Sequence, residues 1–146
     1  MNFVYSDGGR SQYFVGKDKG CCVCRAICNA TGRDFKEIYN LINKTSRREK
    51  TGCRKRGVSN ARTGVYKYTE KEIIENVLGW KWHPTMRIGS GCKTHLNEEI
   101  LKLSNKPMIV KVSKHLTCVK DGSIYDTYDC SRDGNRCVYG YWVKED

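Results

Sequence analysis

A chain of 146 residues carrying 27 Lys and Arg against 16 Asp and Glu, a net charge of +11, has room for a single domain, 1–146, that buries a core without cross-links. No apolar run approaches the ~18 residues of a membrane span, and the opening MNFVYSDGGR lacks the basic start and apolar stretch of a secretory signal, so the expected setting is cytoplasmic, away from membranes. Nine cysteines is an odd count, and three of them crowd into Cys21 to Cys24, where neighbours pair poorly, so reduced thiols are expected rather than a disulfide framework.

Residues 1 to 20 read as irregular, with Asp7-Gly8-Gly9 and Gly16 as breakers. A helix follows. Val23, Ala26, Ile27 and Ala30 recur at the spacing of one buried helical face, and Gly32 supplies a terminator that tolerates a left-handed backbone. The helix therefore begins near Cys21 or Cys22. A thiol at that point sees unpaired amides and the positive end of the helix dipole, both of which favour the nucleophilic thiolate.

Asp34-Phe35-Lys36-Glu37 has capping-box spacing and opens a second helix with Ile38, Leu41 and Ile42 on one face. The segment from Lys44 to Arg62 is almost devoid of apolar residues and carries much of the positive excess, including Arg54, Lys55, Arg56 and Arg62. It reads as a basic loop that either engages an acidic partner or is a solvated linker. Thr69-Glu70-Lys71-Glu72 repeats the capping signature ahead of Ile73, Ile74, Val77 and Leu78, with Gly79 as terminator.

Trp80-Lys81-Trp82 alternates as a short strand does, and Gly89-Ser90-Gly91 marks a loop before a fourth helix over Asn97 to Leu103. Met108–Val112, His115–Lys120, Ser123–Thr127 and Cys137–Val143 are β-branched or aromatic runs separated by turn residues. The order predicts an α+β fold, with N-terminal helices packed on one side of a C-terminal antiparallel meander.

Asp121-Gly122 between two alternating runs is a strong signal for a two-residue hairpin turn. Counting back from it, Lys120 faces Ser123, Val119 faces Ile124, Cys118 faces Tyr125 and Thr117 faces Asp126, with His115 opposite Tyr128 if pairing continues. His115 and Asp126 are then diagonal neighbours on one face, and Asp129 falls on the other. A carboxylate holding one imidazole nitrogen leaves the second nitrogen to take a proton from a thiol.

GCCVCRAI, KHLTCVKDGSIYDTYDCS and RCVYGYWV, with KRGVSNARTGV and PTMRIGSGCKTHL between them, resemble the corresponding stretches of a family of small phage and prophage proteins regarded as papain-like. Members read Gly-Asp-Cys, two residues and Arg-Ala-Ile, then His-Leu with Asp-Gly and Tyr-Asp-Thr downstream. The resemblance covers nearly the whole chain. It implies a papain-like cysteine-protease fold with Cys22 as nucleophile, His115 as general base and Asp126 as the acidic partner. It also implies a thiol hydrolase or acyltransferase without cofactor or metal, acting on an amide or isopeptide bond of a protein or peptide, in a host cytoplasm.

One position departs from the pattern. Cys21 stands where relatives have Asp, which makes Cys21 a rival nucleophile or a resolving thiol. The oxyanion hole is assigned to the Cys22 backbone amide plus an upstream donor, with Gln12, Lys17 and Lys19 as alternatives. The competing reading is a catalytically inactive papain-like protein that modulates a host or defence factor, or binds nucleic acid through its basic surface, although no nucleic-acid-binding motif accompanies the charge.

Other residues read as structural. Cys21, Cys22, Cys24 and Cys28 share one helix start rather than forming the separated pairs of a zinc site. Cys118, Cys130 and Cys137 lie in sheet segments, where a free cysteine packs as a small hydrophobe. His83 and His95 are structural, though the loop with Ser90, Cys92 and Lys93 could line a cleft. Trp80, Trp82, Tyr139, Tyr141 and Trp142 are core and sheet-face residues.

Overall fold

The alternating and helical patterns meet in one mixed sheet. A computed structural model describes residues 1–15, 21–47, 65, 67–87 and 89–144. Its helices are α1 (Cys22–Thr31), α2 (Phe35–Ser46), α3 (Lys67–Lys71) and α4 (Glu98–Leu101). The strands are β1 (Asn2–Tyr5), β2 (Trp80–Pro84), β3 (Met108–Val112), β4 (His115–Lys120), β5 (Ser123–Asp126) and β6 (Val138–Lys144). The class is α+β, and the six strands lie in the order β1-β5-β4-β3-β6-β2. Among the described residues no helix is long and apolar enough to cross a membrane.

Helix α1 is buried nearly all round, so both its faces have structural work. Val23, Ala26 and Ile27 join Phe35, Ile38 and Ile42 of α2 over Ile109, Leu116, Cys118 and Trp142 of the sheet. Its polar stripe, Cys22, Arg25 and Asn29, recurs at helical spacing and lies toward β5, where the Asn29 side-chain amide donates to the Tyr125 carbonyl at 3.3 Å. Gly8, at φ 71°, lets the chain after β1 pass this helix, because a Cβ there would stand 3.1 Å from the Arg25 Cα. Gly32 ends α1 in the expected left-handed conformation, and the Asp34 carboxylate accepts the Glu37 N–H to start α2.

Several expectations are corrected. The first residues are not all irregular: β1 pairs parallel with β5, from Asn2↔Ser123 to Tyr5↔Asp126. A parallel partner so distant leaves no local signal, and β1 is exposed along its length. The sheet is not a sequential meander, since β6 returns beside β3 and β2 closes the far edge on β6. Nor do the helices share one side. Leu96 and Ile100 of the α4 region cover the opposite face with Met108, Val110, Val112, Val119 and Val138. With both faces covered, the central strands become nearly continuous apolar runs.

The third helix starts at Lys67, ahead of the anticipated cap, and Thr69 is buried within it. Its continuation, Glu72–Val77, is wound as a π-helix closed by the Leu78 N–H on the Ile73 carbonyl, at 2.9 Å. The fourth helix spans only Glu98–Leu101, with Asn97 as its cap. The expectation that all thiols are reduced is also corrected. Cys92 and Cys137 form a disulfide with Cα atoms 5.8 Å apart, which removes the thiol argument for a cytoplasmic setting. Cys137 is therefore not a free packing residue.

Gly140 makes the aromatic end of the sheet possible. A Cβ there would stand inside van der Waals contact of the Trp82 indole and 2.9 Å from the His83 carbonyl oxygen. Gly140→Ala should therefore destabilise the fold by roughly 1–3 kcal/mol through overpacking, lowering Tm and altering tryptophan fluorescence. An unchanged Tm and emission spectrum would show that Trp82 does not lie over this strand.

Candidate active site

Cys22 opens α1, His115 opens β4 and Asp126 closes β5, so three element ends bring three functional side chains together. The residue before each of the first two is left-handed: Cys21 at φ 60° and Lys114 at φ 57°. Such backbone is costly for side chains with a Cβ, and it turns the chain abruptly into the helix and the strand.

The hairpin register is as counted from Asp121-Gly122, with Lys120↔Ser123, Val119↔Ile124 and Cys118↔Tyr125. Ladder pairing stops there rather than continuing to Thr117 and Asp126. The side chains nonetheless meet, with His115 Nε2 2.7 Å from Asp126 Oδ2. The Tyr128 ring lies 5.3 Å from the imidazole, centroid to centroid. Asp129 is exposed and accepts the Ser131 N–H at 3.0 Å, a turn contact away from the histidine.

Asp126 has three kinds of partner. Besides His115, its Oδ1 accepts the Thr127 N–H at 2.7 Å and lies 3.9 Å from the Arg25 guanidinium, with side-chain exposures of 3% for Asp126 and 5% for Arg25. Burial works to raise the Asp126 carboxyl, but the His115 hydrogen bond and charge, with the Thr127 N–H, hold it below the ordinary carboxylate range.

Nε2 is committed to Asp126, so Nδ1 is left for sulfur. The Cys22 thiol stands close enough to His115 and to the Leu116 backbone for both to favour its ionised form. Burial opposes its ionisation. These contacts, the imidazolium charge and Arg25 outweigh burial and hold the Cys22 thiol below its usual value. Burial likewise disfavours the charged imidazole, yet Asp126, Cys130 and Cys22 together push His115 up to about 12. Both shifts run in the direction of a thiolate–imidazolium pair.

Other thiols move the opposite way. The Cys28 contact and burial raise Cys24, and burial pushes Cys118 up to about 12. Cys21 is buried in the apolar cluster around α1. Cys130, expected to be packing only, is buried and touches the His115 ring. Its sulfur, a His115 nitrogen and an Asp126 oxygen lie within 4.8 Å of one another, close enough to share a metal ion of mixed N, O and S preference.

Gln12 does not reach the thiol. It lies beside Gly9 and lines a cavity with Cys28, Gly32 and Asp34 at the C-terminal end of α1, about 15 Å of helix away from Cys22. Lys17, Lys19, Arg54, Lys55, Arg56 and Arg62 lie outside the described residues, as does nearly all of the basic segment. His83 stacks on Tyr141 with centroids 5.1 Å apart, and His95 bonds Glu99 at 3.3 Å, so both are structural. Two site residues escaped the sequence reading. Arg25 sits three positions after Cys22 on the same helical stripe, a signal that was present; Cys130 follows an irregular segment that offers no register.

Compared with protein-family models, with curated proteins and with solved structures, the chain matches none of them.

Two outcomes follow. The rate of Cys22 alkylation by iodoacetamide should stay high well below the ordinary thiol range, and His115→Ala should move its half-maximal pH upward, because loss of the imidazolium destabilises the thiolate. Peptide mapping of the labelled protein across a pH series measures this; a profile indifferent to His115 contradicts the pairing. Asp126→Asn should cost about 3–5 kcal/mol, by removing the buried negative charge that His115 and Arg25 face, and should slow Cys22 labelling. Asp129→Asn keeps its acceptor oxygen and should stay within about 0.5 kcal/mol of wild type. Chemical denaturation of both variants compares them, and equal losses contradict the assignment of Asp126.

Proposed function

We propose that this chain is a papain-like thiol hydrolase or acyltransferase that cleaves an amide or isopeptide bond of a protein or peptide. The observation that carries the reading is the shared imidazole: His115 Nε2 lies 2.7 Å from the buried Asp126 carboxylate at a strand end, and the Cys22 thiol at a helix start stands beside the same ring. Separate elements converge on one ring, and the nucleophile, base and orienting acid stand in the order that acyl transfer requires.

In this reading the Cys22 thiolate attacks the carbonyl carbon, forming a C–S bond while the carbonyl electron pair moves to oxygen. The Cys22 backbone N–H, unpaired at the first position of α1, faces that developing charge. Collapse of the intermediate breaks the C–N bond, and His115 gives its proton to the departing amine. Asp126 keeps the ring oriented throughout. Water, or a second amine in the transferase case, then attacks the thioester and loses a proton to His115, and the C–S bond breaks to regenerate the thiolate.

An activated ester tests the cycle without knowledge of the natural substrate. With p-nitrophenyl acetate, wild-type protein should show a burst of p-nitrophenolate, an acetyl group on the Cys22 peptide, and continued release as the thioester turns over. Cys22→Ala should abolish the burst. His115→Ala should slow both phases by roughly 10²-fold or more, the usual contribution of a general acid–base. Release that persists unchanged in Cys22→Ala overturns the proposal.

A further inference from the structure

A cavity of about 420 Å³ opens between α3 with its π-helical continuation and the β3–β6–β2 edge of the sheet. We infer that it is the substrate subsite of the Cys22 centre, and that it takes a peptide with an aromatic side chain flanked by carboxylates. The inference rests on the thiol hydrolase reading above and names its substrate class.

Position is the first argument. Lys111 lines the cavity and is the cross-strand partner of Leu116, the residue after His115. The next pair along, Val112↔His115, carries the base. The Lys111 wall of the cavity therefore lies one strand spacing, ~5 Å between backbones, from the strand that carries His115, and a peptide whose carbonyl meets Cys22 extends a neighbouring residue toward it.

The lining supplies the chemistry. Trp82 and Trp142, with ring centroids 4.5 Å apart, form an aromatic wall, and Tyr139, 39% exposed, adds a second flat surface. Both acidic lining residues have partners inside the structure. Glu70 bonds Lys111 at 2.6 Å, and Glu75 accepts the Trp142 indole N–H at 3.4 Å. Exposed cations, Lys67 and Lys71 on α3 and Arg87 beyond β2, stand on either side of the opening. Aromatic walls inside a cationic rim fit a flat apolar group that carries negative charge beside it. A nucleic-acid base with its phosphates shares that chemistry. The adjoining thiolate, which needs a carbonyl to attack, favours the peptide.

The test uses the full chain and three tripeptidyl vinyl sulfones bearing Glu-Phe-Glu, Lys-Phe-Lys or Ala-Ala-Ala. In each, the Cys22 thiolate adds to the alkene carbon β to the sulfonyl group, and the carbon α to the sulfonyl takes the proton from His115. The acidic aromatic probe should label Cys22 about tenfold or more faster than the alanine probe. The double variant Lys67→Glu, Arg87→Glu should invert the preference between the Glu- and Lys-flanked probes. Both positions are exposed, so this arm holds even if Trp82→Ala, expected to erase the phenylalanine preference, fails to fold.

Equal rates for the three probes, with iodoacetamide labelling still dependent on His115, overturn the subsite and leave the hydrolase reading standing. Labelling by iodoacetamide that ignores His115 overturns both. Protection of Cys22 by a single-stranded oligonucleotide, without any preference among the peptides, overturns the assignment in favour of nucleic acid.

Discussion

The buried carboxylate of Asp126 is the point on which the site depends. Taking such an ion out of water costs several kcal/mol, and this site offsets that cost with His115, Arg25 and the Thr127 N–H. Each partner comes from a different place, so satisfying one carboxylate fixes α1 against the ends of β4 and β5. The backbone of the same residue is held as well. Tyr5 pairs with Asp126, and the Ser6 N–H donates to the Asp126 carbonyl at 2.9 Å, while the Ser6 hydroxyl bonds Asn29 Oδ1 at 2.6 Å. The exposed edge strand β1 is thus a brace for the acid. It clamps β5 from the side opposite β4 and ties the same corner to α1.

This arrangement couples charge to folding with definite signs. The His115 pKa is raised to about 12, so its contribution to stability is fully present below the unfolded value near 6.5 and is lost as pH rises through about 12. Asp126 is lowered, so its contribution is present above the unfolded value near 3.9 and fades as acid protonates it. Cys22 is lowered too, and the fold accordingly favours its thiolate over its thiol. The Asp126 and His115 preferences coexist at neutral pH, whereas that of Cys22 is full only above its unfolded value near 8.5 and fades as pH falls. The charges of Asp126 and His115 are thus ones that hold the corner together there.

The local parts of this architecture were legible in the sequence. The α1 stripe, the Gly32 stop, the Asp34 cap and the Asp121-Gly122 hairpin are short-range patterns, and each was found where its chemistry put it. The His115–Asp126 contact followed from the hairpin count alone, because register propagates along a strand pair by steric alternation. What escaped was non-local. The parallel pairing of β1, the return of β6 to β3 and the α4 region on the second face depend on contacts between distant segments that leave no periodic mark. The Cys92–Cys137 bond escaped for the same reason, since cysteine spacing says nothing of Cα separation. Gln12 was drawn toward Cys22 by chain position, whereas the turn at Gly8 and Gly9 carries it to the other end of the helix.

The two left-handed residues explain how short-range and long-range constraints are reconciled at the thiol. An L-residue with a Cβ in that conformation costs about 1–2 kcal/mol, and Cys lacks the short polar side chain that lets Asp or Asn occupy it more readily. Cys21 holds it because its neighbours fix it on both sides. Its side chain is buried in the α1 cluster and its carbonyl already accepts the Arg25 N–H at 2.8 Å. The helix therefore begins without a fraying turn. Cys22 carries the first helical amide, and its sulfur is directed at the ring that the equally strained Lys114 turns toward it. The strain is concentrated one residue before Cys22 and one before His115. Arg25, placed by the same helical turn, adds a positive charge 3.9 Å from the Asp126 carboxylate and a smaller lowering of the Cys22 thiol than His115 provides.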